Sequence, residues 1–158
     1  MRINKNMRKL YDEMTNNLPT EFPDGLTNLL SEGFIADEGC VFLFSLYRLK
    51  GNARRDLFPD EVGYECFVNH IHIDDFSKDN ILATAIVFVE KLELEWKAQS
   101  IRDTLRIVLS FEDDNCVVRF HLVRDKQDWL REDLECYEHE ALLVVDVPSL
   151  MMNVVDRA

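Results

Sequence analysis

The stretch that decides the fold runs from Leu105 to Leu122 and reads LRIVLSFEDDNCVVRFHL. Leu105, Ile107, Leu109 and Phe111 alternate with Arg106, Val108, Ser110 and Glu112. After Asp113-Asp114-Asn115 the alternation resumes, with Cys116, Val118, Phe120 and Leu122 set against Val117, Arg119, His121 and Val123. Successive side chains of a strand point to opposite faces, so each run offers one apolar face to a core. Two such runs around a short Asp/Asn turn predict an antiparallel hairpin over residues 104–124.

Working outward, residues 80–98 (NILATAIVFVEKLELEWKA) predict the longest helix. Its first half is apolar nearly all round, which suits burial against a sheet. Residues 4–16 predict a short N-terminal helix, from Met7, Leu10, Tyr11 and Met14 at three- and four-residue spacing. Three further segments read as strands. They are the aromatic run 40–49, residues 62–73 with a phase slip near Asn69 or His70 that suggests a bulge, and 141–147 before Pro148. Residues 19–39 read as a connection with one helical turn around Leu26–Leu30, and 127–139 as helical or irregular. The tail from Ser149 reads as a short helix or a frayed end. The expected class is α+β. It is a single mixed or mostly antiparallel sheet of about five strands, packed by one long central helix plus an N-terminal helix. Residues 1–158 are expected to form one globular domain.

Composition narrows function more than any motif does. Eighteen basic residues stand against 30 acidic ones, for a net charge of −12. Binding nucleic acid through phosphates needs a basic face, so direct nucleic-acid binding is not expected. The longest apolar stretch, Ile81 to Val89, is far short of the roughly 20 residues of a membrane span. No signal-peptide pattern follows the N-terminal MRINKNMRKLYDEM, so a cytoplasmic location is expected. Cys40, Cys66, Cys116 and Cys136 show no metal-ligand spacing, and we expect them reduced.

Candidate chemistry is sparse. The chain has no GxSxG elbow, no GxGxxG and no GxxxxGK[ST]. His70-Ile71-His72-Ile73-Asp74-Asp75 places two histidines on one face of a strand, and it is similar to the HxHxDH signature of metallo-β-lactamase-type hydrolases. Asp75 stands where that signature has a histidine, and a site of His70, His72 and Asp74 is the only enzymatic candidate. We expect no catalytic residues, no cofactor and no metal. The segment DKQDWLREDLECYEHE, residues 125–140, is the distinctive one. Its carboxylates surround two aromatic side chains, a pattern that suits docking of a basic partner. The expected partner-binding residues are Asp128, Trp129, Glu132, Asp133, Glu135, Tyr137 and Glu138.

This segment also carries a resemblance. Trp129, Leu130, Asp133, Leu134, Glu135, Tyr137, Glu140 and Ala141, between a strand and a second apolar strand, resemble the end of immunity proteins that accompany bacterial polymorphic toxins, including those of contact-dependent growth inhibition. The resemblance covers about the last third of the chain. It implies a non-catalytic cytoplasmic protein that binds a cognate toxin domain, basic and nuclease-type, and blocks its active site or substrate cleft. A monomer or weak dimer is expected. The alternative is an acidic secretion-type chaperone that holds a segment of an effector.

Overall fold

The computed structural model describes residues 1–14, 19 and 21–148. Strands β5 (Leu105–Glu112) and β6 (Asn115–Leu122) form the predicted hairpin, in register from Leu105↔Leu122 to Glu112↔Asn115. Its two-residue loop puts Asp113 and Asp114 at φ 48° and 63°. Two successive positive φ values make the turn whose twist matches that of the flanking strands. Strand β7 (Ala141–Val147) pairs the free side of β5, and β1 (Arg2–Ile3) adds outside β7. On the other edge β4 (His70–His72) pairs β6, with His70 opposite Arg119. The order is β1-β7-β5-β6-β4, and every pairing is antiparallel.

The fold is therefore α+β around an antiparallel five-stranded sheet. Helix α5 (Ile81–Lys97) lies on the face predicted to be apolar. Phe88, Leu92 and Trp96 meet Ile107, Leu109, Val118 and Phe120 in the main core, all fully buried. Helix α1 (Lys5–Met14) follows β1 and is fixed by Asn4. The Asn4 amide oxygen accepts from Met7 N and Leu142 N, and its Nδ2 donates to the Glu140 carbonyl at 2.8 Å. One buried side chain thus caps a helix and completes a strand edge.

Three expectations are corrected. The helical turn around Leu26–Leu30 is a two-turn helix, α2 (Asp24–Ser31), and the connection after it contains strand β2 (Phe34–Asp37). The run 40–49 is not a central strand. It supplies β3 (Cys40–Leu43), which pairs β2 as a separate two-stranded sheet, and then turns into the short helix α3 (Phe44–Tyr47). The expected single sheet is therefore two sheets. Finally, residues 62–73 are mostly helical: α4 (Glu61–Val68) precedes β4, and there is no bulged strand. Asp60 caps α4 by accepting from Gly63 N at 2.7 Å. Helix α4 buries two pairs at four-residue spacing, Val62 with Cys66 and Tyr64 with Val68, and their interleaving imitates a period of two.

Helix α4 also joins the two sheets. Glu65 is fully buried and accepts from Val41 N of β3, Leu122 N of β6 and both terminal nitrogens of Arg124. Asn69 donates to the carbonyls of Val41 and Phe120. These two side chains satisfy backbone groups that β4 is too short to reach. The last two residues of the expected helix 4–16 and the tail from Ser149 lie outside the described residues.

Candidate functional site

The face of the sheet opposite α5 carries His70, Arg119, Val108 and Val144 in one row, set by strand register. The chain from Val123 to Glu140 crosses this face between β6 and β7. It is irregular, with one 3-10 turn at Leu134–Cys136. Leu130, Leu134 and Tyr137 pack on Val108, Leu142 and Val144. Polar contacts pin the rest. Gln127 Nε2 donates to Glu61 at 2.7 Å, Arg131 N donates to the Tyr137 hydroxyl, and Glu138 O accepts from Asn6.

The structure divides the expected partner-binding residues by what their side chains do. Asp133 caps the 3-10 turn by accepting from Glu135 N at 3.0 Å, and Glu135 accepts from Lys5 N at 2.8 Å. Both are exposed but engaged in the fold. Asp128 pairs with Arg106 at 3.0 Å, and Arg106 also grips Asp146 at 2.7 and 2.9 Å. That guanidinium holds the Asp146 carboxyl below the usual range. Glu132 and Glu138 project exposed carboxylates with no side-chain partner among the described residues. Tyr137 is half-buried as an anchor. Trp129 is 41% exposed, with the Arg119 guanidinium carbon 5.2 Å from its ring centre.

Two concavities flank Trp129. A cleft of about 550 Å³ lies between Trp129 and α4, walled by Phe58, Val62, Phe67 and His70. A smaller one of about 350 Å³ also borders Trp129, with Glu112, Tyr137 and Glu140 in its wall. Arg119 lines both.

The histidine pair is engaged with its neighbours in the fold. The His70 and His72 rings stack with centres 4.7 Å apart. His70 Nε2 faces Arg119 Nη2 at 3.4 Å, so a fixed positive charge stands where a cation would bind. Asp74 Oδ1 is occupied by Cys116 N at 3.0 Å. Among the described residues no group of three or more His, Cys, Asp or Glu side chains is placed to hold a metal ion. Burial, with Arg119 and His72 adding to it, pushes the His70 pKa down to about 4. The thiol of Cys66, in the wall of the larger cleft, is pushed well above its ordinary value by burial.

A family model matches residues 2–155, from β1 through β7, and so includes this whole face. The chain belongs to the uncharacterized protein PM0498 family. The uncharacterized protein PM0498 of Pasteurella multocida (strain Pm70) is 30% identical, over 78% of this chain and 84% of its own. No solved structure matches the chain. No helix among the described residues is long and apolar enough to cross a membrane.

In this PM0498-family chain the loop stands out in the sequence by composition, and its neighbours on the face do not. Phe58, Phe67 and Arg119 belong to the same face. Reading α4 as a strand hid Phe67, which is 57% exposed beside Trp129's cleft. The available signal was Pro59-Asp60 followed by Glu61, a helix start. Arg119 was visible as an outer-face residue, but its pairing with His70 needed the strand register.

Proposed function

We propose that this chain is an immunity-type inhibitor. It binds a cognate, basic, nuclease-type toxin domain in the cytoplasm and neutralises it by covering its active site or substrate cleft. The observation that carries this reading is the segment 123–140. It presents Trp129 and outward carboxylates, Glu132 and Glu138 among them, on a support fixed by the packing of Leu130, Leu134 and Tyr137 and by hydrogen bonds to its backbone. A rigid aromatic anchor with an acidic rim is what a tight interface with a basic protein requires. Net charge of −12 adds long-range attraction toward such a partner. The resemblance of the Trp129–Ala141 segment to immunity proteins points the same way. Nothing in the reading needs catalysis.

The test is co-expression with the product of the adjacent upstream gene. Inhibition predicts that this product alone stops growth, that the chain restores it, and that the two purify as a one-to-one complex. A stable complex without toxicity would replace the reading with the chaperone alternative. No rescue and no complex would reject both.

A further inference from the structure

Arg119 is the exception among the half-buried arginines of the described residues. Arg55 pairs with Glu61 at 3.4 Å, Arg106 with Asp128 and Asp146, and Arg124 with Glu65. Among the described residues Arg119 forms no ion pair, although the charge of Glu140 acts on it. Withdrawing a guanidinium from water without a counter-charge is unfavourable. Its surroundings hold it there nevertheless. The guanidinium lies over the Trp129 ring, its central carbon 5.2 Å from the ring centre, and Nη2 points to His70 Nε2 at 3.4 Å. A guanidinium held this way keeps N–H groups available for a planar anion. Of the five N–H donors of an arginine, only Nη2 is directed at a protein acceptor.

The two clefts beside it differ. The smaller contains Glu112 and Glu140, which disfavour an anion. The larger contains Asp60 and Asp128; the Arg106 guanidinium at 3.0 Å offsets the charge of Asp128, and Asp60 is turned to the cap of α4, accepting from Gly63 N at 2.7 Å. Apart from His70, the rest of its wall is apolar, with Phe58, Val62, Phe67 and Trp129. Its volume of about 550 Å³ suits a small organic group.

We propose that the larger cleft binds a carboxylate carried on an aromatic or aliphatic group. Arg119 takes the carboxylate through its free edge, and Phe58, Phe67 and Trp129 take the apolar body. A polypeptide ending in an aromatic residue and a free arylalkyl acid share this chemistry. The site stands on the isolated chain and does not depend on the inhibitor reading. Bound carboxylate also adds a negative charge beside His70, which favours the protonated imidazole.

The experiment titrates the isotope-labelled full chain with 3-phenylpropionate, 3-phenylpropanamide, and a short peptide ending in Phe with a free or an amidated terminus. Resonances of Trp129, Phe67 and His70 are followed. Saturable shifts confined to these residues are expected, with each acid bound about tenfold or more tightly than its amide. The His70 pKa should rise in the complex. Arg119→Gln should lower the affinity for the acid to that for the amide, and Phe67→Ala should weaken acid and amide alike. A peptide bound more tightly than 3-phenylpropionate assigns a polypeptide ligand; the reverse assigns a small acid. Equal binding of acid and amide, wild-type affinity in Arg119→Gln, or no saturable shift with any probe would each overturn the site. If Arg119→Gln does not fold, the comparison of acid with amide on the wild-type protein decides.

Discussion

Glu65 has no exposed surface, yet it is a carboxylate on a two-turn helix. Its position is tolerable because four donors converge on it, two of them from Arg124. Removing one partner of a buried ion pair costs about 3–5 kcal/mol, chiefly from the charge left behind. Glu65→Gln should therefore lower stability by about 3 kcal/mol, read as a shift in the denaturant midpoint at constant m-value. His70 gives a residue-scale prediction with a pH sign. Its pKa falls from about 6.5 unfolded to about 4 in the fold. The fold thus binds fewer protons than the unfolded chain in this window, and stability decreases as pH falls from about 6.5 toward about 4. Solvent around a half-exposed ring reduces the effect to about 1 kcal/mol. Asp74 and Asp146, whose carboxyls are also held low, lose stability at more acid pH. Comparing wild type with His70→Gln at pH 7 and pH 5 isolates the imidazole, and an unchanged difference between the two would refute its role.

At the scale of elements, what was legible followed from periodicity long enough to be unambiguous. The β5–β6 hairpin, α5 and β7 were read nearly to the residue, because each keeps one pattern over at least seven positions. Short elements failed. In α4 two interleaved four-residue pairs looked like a strand, and β2, four residues long, was lost although Glu38-Gly39 turns it into β3 with successive positive φ values, as Asp113-Asp114 does between β5 and β6. The outer face of the sheet is covered as well. Val108, Val117 and Val144 on that face are buried, and Leu134 of the covering loop packs on Val108 and Val144. No local pattern announces a cover supplied by an irregular segment. The candidate loop was therefore visible as composition, whereas its cleft and Arg119 were not. The hairpin turn yields a stability prediction. Asp114 sits at φ 63°, a conformation glycine adopts without penalty. Asp114→Gly should raise stability by about 0.5–1 kcal/mol, seen as a higher Tm with the strand register unchanged. Loss of stability would mean that Asp114 makes a compensating contact.

For the whole molecule, charge and shape act on different steps of partner binding under the proposed inhibitor function. A net charge of −12 creates a field felt at a distance, whereas Trp129 and its clefts matter only on contact. Long-range fields change association, and desolvated anchors change dissociation. Glu132→Lys with Glu138→Lys moves the net charge from −12 to −8, two units per substitution, without touching an observed side-chain partner. Association with the cognate toxin should slow by about tenfold at low salt, with dissociation nearly unchanged. The difference from wild type should shrink as ionic strength rises from about 0.01 to about 0.15 M, because the Debye length falls from about 30 to about 8 Å. Trp129→Ala should do the opposite. It leaves the charge and the salt dependence alone and speeds dissociation by about thirtyfold, the equivalent of a ~2 kcal/mol hot spot. Stopped-flow association and surface-immobilised dissociation, run on both variants at both salt concentrations, separate the two effects. Charge variants that changed only dissociation would place these carboxylates inside a desolvated contact, and a Trp129→Ala variant that bound like wild type would move the interface off this face of the sheet.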